Sequence, residues 1–237
     1  MSKLSRFQAL DAEAHPPYAS PRYVSSVFRS PHEAPIPIRQ TLSELTGPSF
    51  GPSLVRPEDV DLTTNAGTGS PAIGERIIVS GRVLEEDGRP LPNTLLEIWQ
   101  CNAAGRYNHA SDVHDAPLDP NFLGAGRVLT DADGCYRFTT IRPGAYPWRN
   151  HYNAWRPAHI HFSLFGPAYA SRLVTQMYFP GDPLLELDGI FMSVTNAEAR
   201  QRLVARFDHA TSRPHYALGY RWDIVLRGRE ETPLEGP

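Results

Sequence analysis

The sequence predicts an all-β protein: a two-sheet β-sandwich core with an extended N-terminal arm and one or two short helices. Three observations point there. Short apolar runs recur from residue 76 onward, most of them strand-length. Turn signals such as "EDGRPLP" and "TDADG" separate them. Gly (18) and Pro (23) are frequent enough to close many such turns in 237 residues.

In chain order, residues 1–72 read as an extended Pro-rich arm and 73–237 as the β-sandwich domain. "HPPYASPRY" (15–23) and "SPHEAPIPI" (30–38) cannot sustain helices, because each proline removes a backbone donor and restricts the residue before it. Yet Tyr18, Tyr23, Val24, Val27, Phe28, Ile36 and Ile38 are too apolar for a disordered tail, so the arm is expected to pack on this domain or on a neighbouring chain. "RIIVSGRVLE" (76–85) and "NTLLEIWQC" (93–101) are strands flanking the first turn. "CYRFTTI" (135–141), "AHIHFSLFG" (158–166), "RLVTQMYF" (172–179) and "YRWDIVLRG" (220–228) complete the set. One helix is expected over 195–207, with Thr195 and Glu198 in capping-box spacing and Leu203, Val204 and Phe207 as its apolar face.

A net charge of −3 with no basic stripe argues against nucleic acid or an anionic membrane as partner, and no apolar stretch approaches a membrane span. The N-terminal residues lack the apolar core of a signal peptide, so a cytoplasmic location is expected. Cys101 and Cys135 make no disulfide framework and are expected as buried thiols.

Chemistry concentrates in "WRPAHIHF" (155–162). On a strand His159 and His161 project from one face, with Ile160 on the other, a geometry suited to gripping one metal ion. His-x-His spacing is shared by zinc, copper and non-haem iron sites and does not choose among them. A catalytic zinc would need a third His, Cys or carboxylate. A ferrous site would need one carboxylate, for which Asp112, Asp115 and Asp119 are available. Two tyrosines stand in loops rich in Gly, Pro and Asn: Tyr107 in "NAAGRYNHA" and Tyr146 in "RPGAYPWRN". Either could be a packed ring with a wet hydroxyl, or a phenolate, a hard oxygen donor suited to Fe(III). A non-catalytic β-sandwich binding module, with these aromatics as packing, is the reading without a metal.

The segments "AIGERIIVSGRV", "PNTLLEIWQCNAAGRYNH", "APLDPNFLGAGRVLTDADG", "YPWRN", "WRPAHIHF", "TQMYFPGDPL" and "RWDIVLRG" together resemble the intradiol ring-cleavage dioxygenases. The resemblance runs through nearly the whole chain from about residue 16. It implies one Fe(III) per chain held by Tyr107, Tyr146, His159 and His161, with Tyr146 and His161 axial. Tyr107, His159 and a solvent hydroxide would be equatorial. It implies a catechol substrate, with O2 as cosubstrate, and a ferric ion acting as a Lewis acid. Tyr146 would double as a base, and both oxygen atoms would enter the product, 3-carboxy-cis,cis-muconate from protocatechuate (3,4-dihydroxybenzoate). Arg156 would stabilise anionic charge on the reacting ring and Trp148 would pack beside the substrate. Gln176 would order solvent or O2 near the iron, Ile190 would form an apolar wall, and Tyr23 would reach the carboxylate region. This chain would be the iron-bearing β subunit, and an α subunit is implied as partner in a hetero-oligomer. Family members that act on catechol or hydroxyquinol carry an N-terminal helical dimerisation region, whereas residues 1–72 here read as non-helical. His151 and Tyr152 stand where smaller residues are expected, and Glu186 and Asp188 make "LLELDGIFM" unusually acidic, which leaves the ring substituent open.

Overall fold

The structure, a computed structural model, describes residues 14–33, 36, 55–165, 172–226 and 228–235. Two sheets face each other. In the first, β1 (Arg76–Leu84) is central, antiparallel to β4 (Cys135–Ile141) on one side. On its other side it runs parallel to β10 (Leu218–Arg221) and then β11 (Ile224–Val225), and β9 (Arg206–Phe207) pairs with β10. The second sheet has the order β3 (Ala125–Leu129), β2 (Leu95–Trp99), β7 (His159–Phe165), β8 (Arg172–Tyr178), all antiparallel. A two-stranded ribbon of β5 (Tyr146–Pro147) and β6 (Trp155–Arg156) stands apart from both. The all-β sandwich is as expected.

The core explains the strand patterns. Ile77, Val79 and Val83 of β1 and Phe138 of β4 meet Leu96 and Ile98 of β2 and Ile160, Phe162 and Leu164 of β7. These side chains exclude water between the sheets, the main favourable term in folding. The even-numbered residues of β7 thus face the core, and His159, His161 and Ser163 face outward, into a second layer built by loops. Across β8 the outward neighbours in register are Tyr178 beside His159 and Gln176 beside His161; across β2, Trp99 lies beside His161. Sheet register alone therefore gathers five polar or aromatic side chains at one end of one face.

The expected strand 220–228 is two strands, because Trp222 and Asp223 bulge between them. The Trp222 N–H still donates to Ser80 O (2.8 Å), while the Asp223 carboxylate accepts the Arg82 N–H (3.0 Å) in place of a ladder carbonyl. A Cβ on Gly81 would lie 1.7 Å from Trp222 O, so only glycine admits this crossing. β3 was not anticipated; its Gly and Arg hide the alternation.

The expected helix 195–207 is much shorter: α2 spans Ala197–Gln201. Asn196, not Thr195, caps it, accepting from the Glu198 and Ala199 N–H groups. Phe207, expected on the helix's apolar face, sits in β9 and is half-exposed. The arm also departs from its non-helical reading. α1 (Val24–Arg29) forms between the two Pro-rich stretches, and Pro57–Val60 is a 3-10 turn. The apolar residues expected to seat the arm stay exposed, Phe28 at 83% and Ile36 at 86%, with Tyr18, Val24 and Val27 less so; Tyr23 is half-buried, and Ile38 lies outside the described residues. Backbone and polar contacts seat it instead: the Asn150 carboxamide donates to Arg22 O (2.6 Å) and accepts from Val24 N (2.8 Å). Among the described residues no helix is long and apolar enough to cross a membrane. Both cysteines are free thiols; Cys101 is buried as expected, but Cys135 is only half-buried, at the start of an outer strand.

Candidate metal centre

Tyr107 reaches the outer face of β7 from the loop after β2. Asn102 shapes that loop, its side-chain oxygen accepting the Ala104 and Arg106 N–H groups, and the Tyr107 N–H donates to Asp112 (2.7 Å). Gly105, at φ +80°, lets the loop close on the chain that carries Tyr146. A Cβ there would fall 2.3 Å from Ala145 O. The Tyr107 and Tyr146 rings meet edge to face, centroids 5.5 Å apart. Tyr146 itself is set by the β5–β6 ribbon, in register with Arg156.

Four donor atoms converge. Tyr107 Oη lies 3.1 Å from His161 Nε2, and Tyr146 Oη lies 3.3 Å from His159 Nε2. The two imidazoles are 4.9 Å apart. His159 Nδ1 donates to Pro157 O (2.7 Å), which leaves its Nε2 lone pair facing inward. Burial, then Arg156 and His161, push the His159 pKa well below the usual imidazole range, so it is neutral. His161 Nδ1 lies 3.0 Å from a Glu235 carboxylate oxygen, and its ring stacks on Trp99 at 4.8 Å. Burial raises the pKa of both phenols, Tyr107 well above the usual range; for Tyr146 the Arg156 guanidinium pulls the other way. A cation in their midst would release those protons. Cys101 lies nearby with its thiol turned to the backbone, donating to Gly144 O (3.3 Å), and burial pushes its pKa up to about 12. Among the described residues no three His, Cys, Asp or Glu side chains group closely enough to hold a metal. The convergent set is two phenols and two imidazoles.

Asp112, Asp115 and Asp119 do not join it. Asp112 and Asp119 organise loops by accepting main-chain N–H groups, and Asp115 is exposed.

Arg156 is buried behind Tyr146. Its guanidinium pairs with both Asp188 oxygens (Nε to Oδ1 3.2 Å, Nη2 to Oδ2 2.9 Å) and donates to Gln176 Oε1 (2.6 Å) and Tyr178 Oη (2.9 Å). Burial alone would lower its pKa; Asp188, together with Tyr178 and Tyr146, more than reverses that, and the charge is retained. Gln176 Nε2 is buried without a well-formed hydrogen bond, though near enough to Glu235 to favour its ionised form. Arg156 lies over the Trp148 ring at 5.5 Å, and Trp148 contacts Tyr23 at 5.5 Å between centroids. Ile190 is buried, its N–H donating to Asp188 Oδ1 (3.3 Å). Trp148 and Arg149 also line an open cavity of about 680 Å³ with Asp112–Asp115.

The structure therefore brings together Tyr107, Tyr146, His159, His161, Arg156 and Gln176, with Trp148 adjoining and Tyr23 and Ile190 at one remove. Sequence reasoning missed Tyr178, Trp99 and Glu235, and left Asp188 without a role. Tyr178 was within reach, two residues after Gln176 on a predicted strand; Glu235 gives no local signal, 74 residues from His161. His151 and Tyr152 are exposed, Tyr152 at 98%, and Glu186 offers its carbonyl, not its carboxylate, to Arg22 (2.7 Å).

Comparison with known proteins shows the family. A family model described as dioxygenase matches residues 45–228, and one described as protocatechuate 3,4-dioxygenase beta subunit N terminal matches residues 9–41. The protocatechuate 3,4-dioxygenase beta chain of Burkholderia cepacia is 59% identical over 225 residues, 95% of each chain. The alpha chain of the same organism is 27% identical over 82% of this chain and 96% of its own. Among solved structures, the dioxygenase domain of a carbohydrate-binding fusion from Streptomyces sp. SirexAA-E has a TM-score of 0.51 and 29% identity, covering 76% of this chain and 94% of that one. With its two facing sheets, paired tyrosines and paired histidines, the chain belongs to the intradiol ring-cleavage dioxygenase family, in the branch of the protocatechuate 3,4-dioxygenase beta chains.

Proposed function

We propose that this chain is the iron-bearing β subunit of an Fe(III)-dependent intradiol dioxygenase. It cleaves protocatechuate with O2 between its two hydroxylated carbons to 3-carboxy-cis,cis-muconate. The observation that carries the reading is the convergence of Tyr107 Oη, Tyr146 Oη, His159 Nε2 and His161 Nε2 in two close pairs. Two phenolates and two imidazoles suit a hard trivalent ion, whereas a zinc site would draw on a third His, Cys or carboxylate, and among the described residues no three such side chains group to hold a metal.

When bound, ferric iron supplies Lewis acidity to a chelated catechol. The protein's own residues do the rest. Tyr146 Oη, a phenolate when it holds the metal, stands where it can take one catechol proton. Arg156, facing that hydroxyl and fixed by Asp188, offers a permanent positive charge where the ring becomes anionic. Gln176, whose amide nitrogen lacks a well-formed partner, has a donor to spare for ordering solvent or a reduced, anionic oxygen. Trp148, Ile190 and Tyr23 shape the entrance around the ring and its substituent.

An α chain completes the enzyme in this reading, as the names of the two Burkholderia cepacia relatives indicate for those proteins. The exposed Tyr18, Val24, Val27, Phe28 and Ile36 supply apolar surface that a partner chain would cover. A cytoplasmic setting agrees with two unpaired thiols. Purified with its α partner, the protein is expected to consume one O2 per protocatechuate and release 3-carboxy-cis,cis-muconate, identified by mass. An extradiol product, or none, would contradict the assignment.

A further inference from the structure

Residues 228–235 do more than end the described chain. The segment is stitched in place: Thr232 exchanges hydrogen bonds with Val225 (N–H to O 2.8 Å; Val225 N–H to Oγ1 3.0 Å), and Arg202 Nε donates to Glu231 O (2.9 Å). It then follows the free edge of β8. Thr175 Oγ1 donates to Pro233 O (2.7 Å), and the Glu235 N–H donates to Val174 O (2.9 Å). This places the Glu235 side chain across the strand, past Gln176, with its carboxylate 3.0 Å from His161 Nδ1. From the opposite end of the sequence, His15 meets the same segment at two points, one of them a hydrogen bond. Its Nδ1 accepts the Leu234 N–H (3.1 Å), and its Nε2 lies 3.0 Å from Glu231. His15 and Glu231 are both buried.

We infer that Glu235 is a positioning residue for His161, and that His15 is the clasp that holds the Glu235 segment in register. The inference rests on the iron reading above. A carboxylate on Nδ1 fixes an imidazole in the tautomer that presents Nε2, orients its ring and makes it a better donor. Here Trp99 stacks on the other dimension of the ring, leaving Glu235 as the contact that sets rotation in its plane. Tail and arm thus act on the metal centre without touching it.

The test uses the full chain with its α partner. Glu235→Leu, Glu235→Gln, His15→Ala and the double variant His15→Ala/Glu235→Leu are compared for iron affinity by chelator competition and for the tyrosinate-to-iron visible band. Glu235→Leu is expected to lower iron affinity by about 10- to 100-fold and to shift the band. Glu235→Gln, which can still accept from Nδ1, is expected to lose less. His15→Ala should move both readouts in the same direction, and the double variant should be no worse than Glu235→Leu, since the two act through one contact. Should His15→Ala fold poorly, Glu231→Gln weakens the same clasp. Wild-type affinity and spectrum in Glu235→Leu would overturn the positioning role. Independent, additive losses in the double variant would overturn the clasp. An unmodified protein that binds no iron would instead overturn the reading beneath both.

Discussion

Tyr107→Phe is expected to strip the protein of much of its visible colour and to reduce kcat/KM by more than the roughly 100-fold that losing an outer partner of a metal ligand costs. The ring would stay where it is: its loop is fixed by Asn102, Asp112 and Gly105, and its edge packs on Tyr146. Only the hydroxyl is lost, and with it the contact to His161 Nε2. Because burial holds both phenols protonated in the absence of a cation, tyrosinate absorbance reports metal bound to these oxygens, and the part lost in Tyr107→Phe is the part owed to Tyr107. A variant with the parent's spectrum would show that Tyr107 is a packing residue.

Asp188→Ala is expected to lower stability by about 3–5 kcal/mol, because it strands the Arg156 guanidinium as an uncompensated charge in the interior. For a chain of this size that corresponds to a fall in Tm of roughly 10 °C, read by calorimetry. Activity should fall with it. Arg156 would keep its hydrogen bonds to Gln176 and Tyr178 but would lose the two-point grip that aims it. Replacing both charges, Arg156→Met with Asp188→Leu, should restore much of the stability and none of the activity, separating the pair's structural cost from the chemistry of Arg156. An Asp188→Ala protein melting within about 2 °C of the parent would contradict a buried, mutually dependent pair.

The reach of sequence reading follows the range of the forces involved. β1, β4, β7 and β8 were legible because each carries its own apolar run, and the strand period alone put His159 and His161 on one face. Tyr107 and Tyr146 are invisible to periodicity; they lie in loops, and only the likeness of their surrounding motifs to a family brought them to the histidines. The helix after Thr195 was overextended because Leu203 and Val204 fit a helical face, whereas in the fold Leu203 O accepts the Tyr178 N–H at the end of β8. The break at Trp222–Asp223 depends on a carboxylate capping Arg82, a contact between residues 141 positions apart. Asp188 was noticed as acidic but looked like a substrate-side change; its burial against Arg156 could be seen only in three dimensions. Glu235 lay beyond reach for the same reason.

The central claim is that Tyr107, Tyr146, His159 and His161 hold ferric iron that a catechol can chelate. One measurement tests it most directly: the visible spectrum of the chain purified with its α partner, before and after protocatechuate is added without oxygen. The expected result is a red-brown tyrosinate-to-iron band that shifts on addition, since protocatechuate adds its own oxygens and Tyr146 gives way. A shift only with a differently substituted catechol would keep the centre and change the substrate. A colourless protein containing zinc, copper or no metal would contradict the account.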